Sequence, residues 1–173
     1  MTTYQKADTD VTAILNQAVT EFHPRLRDAR VSFGVLMADN PDGPAVKHGG
    51  YPATAKVRVV ALKDRVLKEV DAEIIIDRHE WDQMSDAHRI ALFDHELSHL
   101  TTVPDDEQDE GFALDDLGRP KLKTVPGDWN AGDGFAEVVA RHGDYSAEVA
   151  NARKLAAMIE TAKIGELPNK DAA

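Results

Sequence analysis

The sequence predicts an α+β fold in which a small mixed sheet packs on one motif-bearing helix, with further helices around it. Three observations carry this expectation. Short apolar runs rich in β-branched residues fall together within 30–77. Stretches with apolar residues at helical spacing occupy 9–22, 85–100 and 146–164. With 173 residues, 42% of them hydrophobic, the chain is long enough for a single domain, 1–173, with a real core.

Taken in order, Val11, Ile14, Leu15, Ala18 and Phe22 line one face of a helix over 9–22, with Thr9 or Asp10 as its cap and Pro24 beyond its end. Residues 30–38 read as a strand closed by the turn-rich Asn40-Pro41-Asp42-Gly43-Pro44, and a loop follows to Thr54. A second strand is expected over 56–62, then a short helix or turn over 63–70. The third strand, 72–77, contains three consecutive isoleucines and should be buried on both faces. It leads to the helix 85–100, whose Ile90, Phe93, Leu97 and Leu100 form an apolar side. Beyond it, 103–110 is an acidic run of the kind that forms a solvated loop. The turn Leu117-Gly118-Arg119-Pro120 suggests a hairpin over 112–125. Residues 134–142 read as a short helix ended by Gly143, and 146–164 as an alanine-rich terminal helix.

Charge and composition exclude several classes. A formal net charge of −11, with 31 acidic residues and no basic cluster, argues against nucleic acid as a partner. The chain contains no cysteine, so any metal must be held by nitrogen and oxygen. The start, MTTYQKADTD, lacks a signal pattern and no apolar run approaches spanning length, so no membrane association is expected and a cytoplasmic protein is the default.

The motif lies in Asp94 to Leu100, DHELSHL, which contains H-E-x-x-H as His95, Glu96 and His99. On a helix, residues i and i+4 share a face, so two imidazoles can serve one zinc ion. Glu96 lies to the side, where a carboxylate can take a proton from an activated water. His88, two turns before His95, is too far along to join them, and His23, His48 and His79 have no evident role.

A catalytic zinc commonly takes three protein ligands, and the candidates for the third are Asp128, Asp133, Glu137 and His142. Asp133 and Glu137 are a turn apart on one helical face, so one could bind metal while the other holds an imidazole. Asp133-Gly-Phe-Ala-Glu137 resembles the acid-x-x-Ala-acid arrangement of zinc peptidases whose third ligand is a helical carboxylate. That likeness implies Asp133 as the ligand, although the residue there is normally Glu. Asp133 could equally be a helix cap, and His142 a core histidine. His142, Arg141 or Tyr145 could also stabilise an oxyanion.

Several blocks together resemble the phage metallopeptidase family, small zincin-like domains of bacteriophages and prophages. They are Val70 to Asp77, Trp81, Arg89 to His99, Gly118-Arg119-Pro120, and Phe135 to Gly143, in the family's order. The resemblance implies a zincin-like fold, a Zn²⁺ cofactor, His95 and His99 as ligands, Glu96 as general base, and a peptide or protein as substrate. Family members carry a His-Asp pair after the hairpin, where this chain has Gly127-Asp128. Two functions then compete: a zinc-dependent peptidase, and a catalytically weak zinc-fold module that captures a host or phage protein. The intact Glu96 favours the peptidase, since a binding module has no need of it.

Overall fold

A computed structural model describes residues 1–105, 111–127 and 135–165, within two units, Met1–Pro126 and Gly127–Ala173. The first unit begins with β1 (Thr3–Lys6), α1 (Thr9–Phe22), α2 (Pro24–Asp28) and β2 (Phe33–Asp39). Two short strands, β3 (Lys47–His48) and β4 (Tyr51–Pro52), precede β5 (Ala55–Val59), α3 (Leu62–Lys68) and β6 (Ala72–Asp77). Then come α4 (Arg78–Asp82), α5 (Asp86–Ser98), β7 (Leu100–Thr102) and β8 (Leu122–Thr124).

The main sheet has the order β1-β2-β6-β5, so the isoleucine strand lies inside it and β5 forms an edge. β6 runs parallel to β2, with Val35 opposite Ile74, and antiparallel to β5, with Val57 opposite Ile74. β1 is antiparallel to β2 on the far side, which makes the sheet mixed, as expected. Every residue of β6 is buried. Ile75 packs with Ala38 and Val46, while the alternation of a strand turns Ile74 and Ile76 to the other face. Glu73, on the Ile75 face, is held by Arg58 across the strand pair and by Lys68 at 2.8 Å.

α5 packs against α1 and reaches β5. Its start is capped by Ser85, whose side chain accepts the His88 N–H. Phe93, fully buried, meets Trp81 edge-on at 5.5 Å, and Arg89 lies over the Trp81 ring. Thus Trp81 and Arg89, which carry part of the family likeness, fasten the first turns of the helix to its core.

Several boundaries differ from expectation, each for a local reason. The cap of α1 is Asp8, whose carboxylate accepts the Val11 N–H at 3.0 Å, rather than Thr9 or Asp10. Pro24 does not end the helical path but opens α2, at a first-turn position where the missing N–H costs nothing. The strand expected over 30–38 starts at Phe33, because Arg30 adopts a left-handed φ of 54° as the chain turns out of α2. The second strand stops at Val59 and Leu62 already starts α3. α4 was not expected; Asp77 caps it by accepting the His79 N–H at 3.1 Å.

The helix expected over 85–100 ends at Ser98, and Leu100 belongs to β7. His99 N–H still bonds back to Glu96, but its carbonyl accepts the Val125 N–H at 2.7 Å, so the chain is captured by β8. The turn expected at 117–120 is present, bridged by Leu114 and Pro120, and Asp115 accepts the N–H groups of Leu117 and Arg119. The partner of β8, however, is β7 rather than a flank within 112–125. Part of the acidic run, 106–110, lies outside the described residues.

In the second unit, α6 (Ala136–His142) passes through a 3₁₀ turn (Gly143–Tyr145) into α7 (Ala147–Gly165). Gly143 ends α6 as expected, with a positive φ of 51° that a side chain would resist. Among the described residues of this unit, Val138, Ser146 and Glu148 are buried.

Candidate metal centre

His95 lies in the last turn of α5 and His99, one turn on, caps its C-terminus in helical conformation, so their side chains converge. The two Nε2 atoms are 3.2 Å apart, with the rings edge to face at 79°. Two nitrogens each about 2.05 Å from a tetrahedral zinc ion lie about 3.3 Å apart. The pair therefore fits two adjacent corners of such a site.

The backbone carbonyl of Val125 stands 3.0 Å from Nδ1 of His99. A carbonyl can only accept, so this contact requires Nδ1 to carry the proton and leaves Nε2 with its lone pair directed towards His95. An outer hydrogen bond of this kind orients a ligating imidazole.

Glu96, next to His95 in α5, is 2% exposed. Burial pushes its carboxyl up to about 8, against a hydrogen bond from the Val57 backbone that works in the other direction. That bond ties the carboxyl to the edge strand β5. With its value near 8, this carboxyl is a group that can hold and release a proton near neutral pH.

Asp94, immediately before His95, is fully buried and lies 2.8 Å from His23 Nε2. His23 follows the end of α1, so this bond joins α1 to α5. Nothing local at His23 signals this role. The only hint is on the other side: a carboxylate flanking the motif on a buried helix needs a partner.

The third ligand stands differently. Among the described residues no group of three or more His, Cys, Asp or Glu side chains is arranged to hold a metal ion. Asp128 and Asp133 lie outside the described residues. Glu137 in α6 is 87% exposed and 3.5 Å from Arg141. His142, in the last turn of α6, is half-buried, and Tyr145 is half exposed. At Gly127 the ring of Phe135 lies so close that an added Cβ would come within 2.4 Å of Cζ. No side chain fits at 127 in this conformation, so the histidine found there in the family resemblance has no room here.

A family model described as "Putative phage metallopeptidase" matches residues 2–163. The chain belongs to this family. No curated protein and no solved structure matches it. The family's description points to a metal-dependent hydrolase of phages, which would act on peptides or proteins. Among the described residues, no helix is long and apolar enough to cross a membrane.

Within this metallopeptidase family member, the blocks that carry the likeness divide by role. His95 and His99 bring their Nε2 atoms together. Asp71 and Arg119 lie 3.0 Å apart in an ion-paired group beneath the hairpin. The sequence reading missed two backbone groups at the centre, the Val57 amide and the Val125 carbonyl, and no residue-type signal could have revealed them.

Proposed function

We propose that the chain is a zinc-dependent peptidase of zincin-like fold, encoded by a phage or prophage and acting in the cytoplasm of the bacterial host. The observation that carries this reading is the 3.2 Å approach of the His95 and His99 Nε2 atoms, with His99 oriented by Val125. The donor set is nitrogen with no thiolate available, as suits a catalytic rather than a structural zinc. His95 and His99 would hold the ion, with Asp133 the proposed third ligand and Asp128, Glu137 and His142 the alternatives. When bound, zinc would supply a Lewis acid that acidifies water and polarises a carbonyl.

The remaining chemistry belongs to this chain. Glu96 accepts the proton of the attacking water at its carboxylate and returns it to the leaving amine. Its burial excludes competing solvent from that transfer. The substrate, a peptide or protein segment, lies extended along the β5 edge, gaining backbone hydrogen bonds with little side-chain selection. Support for this placement is that β5 ends the sheet and Val57 of that strand bonds to Glu96.

The test is metal content by elemental analysis of wild type, Glu96→Ala, His99→Ala and Asp133→Ala, paired with hydrolysis of an unstructured protein. Wild type should hold one zinc and cleave, Glu96→Ala should hold zinc without cleaving, and His99→Ala should lose the ion. A wild type that binds no zinc overturns the reading. If Asp133→Ala keeps full affinity, the third ligand is one of the other three.

A further inference from the structure

The hairpin between β7 and β8 is fastened at its far end by two arginines. Arg65 Nη1 reaches Asp115 Oδ2 at 2.8 Å and the Pro120 carbonyl at 3.0 Å, while its Nε donates to the Val60 carbonyl at 3.0 Å. Arg119 Nε pairs with Asp71 Oδ1 at 3.0 Å, and its Nη2 donates to Ser32 Oγ and to the Glu69 carbonyl. Asp71 in turn accepts from the Ser32 N–H and hydroxyl. Arg65 and Asp71 are 4% and 1% exposed, so solvent screens the Arg65 contacts little; the Arg119 side chain is partly exposed.

From this anchor a backbone ladder runs to His99. Lys121 N–H donates to Ala113, Val103 N–H donates to Lys121, and Leu100 stands opposite Thr124. One residue further, Val125 donates to the His99 carbonyl and offers its own carbonyl to His99 Nδ1. β7 and β8 have three residues each, too few to hold register strongly by themselves. A slip of one residue would carry the Val125 carbonyl about 3.3 Å along the strand, out of hydrogen-bond reach.

We propose that Arg65 and Arg119 are positioning residues of the metal centre: by fixing the hairpin they keep the Val125 carbonyl on His99 Nδ1, and so keep Nε2 directed towards His95. This rests on the metal reading above, and deepens it by placing the control of one ligand at the other end of a hairpin.

The test is the His99 tautomer, read by ¹⁵N chemical shifts of metal-free protein, together with zinc affinity by chelator competition. Lys68→Met is the control, since Lys68 lies on α3 beside Arg65 but pairs with Glu73, off this path. Wild type and Lys68→Met should show His99 protonated at Nδ1 alone. Arg119→Met should show mixed tautomers and bind zinc about 10- to 100-fold more weakly. Should Arg119→Met fail to fold, Asp115→Asn decides by the same readings, because it keeps an acceptor for the turn while weakening the tie to Arg65. A folded Arg119→Met, or failing that Asp115→Asn, with wild-type tautomer and affinity within about twofold overturns the proposal. If wild type binds no zinc yet the tautomer follows Arg119, the metal reading falls and the positioning role stands.

Discussion

Replacing Glu96 by Gln should make the metal-free protein more stable at alkaline pH, although it removes the proposed base. In the folded state burial pushes this carboxyl from 4.5 up to about 8. The unfolded chain ionises near the ordinary value, so between the two the folded state holds a proton that the unfolded state has released. Wild-type stability therefore falls as pH rises through this window, and the loss is complete above the folded value. At 1.36 kcal/mol per pH unit, the span from 4.5 to about 8 amounts to about 5 kcal/mol. Glutamine has nearly the same shape, can accept the Val57 hydrogen bond through its carbonyl oxygen, and does not titrate. The advantage of Glu96→Gln over wild type should thus grow by up to about 5 kcal/mol between pH of about 4.5 and 8.5. Urea unfolding followed by circular dichroism across that range measures it directly. A chelator is needed throughout, because a cation at the imidazoles would favour ionised Glu96. A difference between the two proteins that stays flat to within about 1 kcal/mol would refute the argument from burial.

Two further outcomes follow from residues away from the centre. Burial alone would raise the Glu73 carboxyl, but Lys68 and Arg58 outweigh it and hold the group below the usual carboxylate range. Its contribution is present above the unfolded value and lost as pH falls through the folded one, so Lys68→Met should move the midpoint of acid unfolding to higher pH; an unchanged midpoint would contradict this. Phe93→Ala, at a fully buried ring stacked edge-on against Trp81, should cost about 3–5 kcal/mol in urea unfolding. A cost below about 1 kcal/mol would mean that this helix does not pack as described.

The parts of the fold legible in the sequence were those set by local periodicity. The bounds Thr9–Phe22 and Ala72–Asp77 agree with their apolar patterns, because each element buries a face whose spacing is written in consecutive residues. The run of Ile74, Ile75 and Ile76 correctly indicated a strand covered on both sides. That His95 and Glu96 share a helix with His99 one turn on, as its C-terminal cap, was legible for the same reason, since helical spacing fixes their relative placement.

What the sequence could not contain was anything carried by the backbone of a distant segment. That Leu100 leaves the helix for β7 depends on Val125 capturing the His99 carbonyl from 26 residues away. The pairing of His23 with Asp94 joins residues 71 apart, and the Arg65 and Arg119 contacts tie α3 and Asp71, just before β6, to the hairpin. These partners are chosen by packing, not by spacing. The sequence by itself determined which side chains are candidates to bind a metal and move a proton. Only the tertiary structure decided how they are held: a backbone amide of the edge strand meets Glu96, and a backbone carbonyl beyond β8 meets His99. Every residue but proline carries both backbone groups, so their use leaves no mark on residue type.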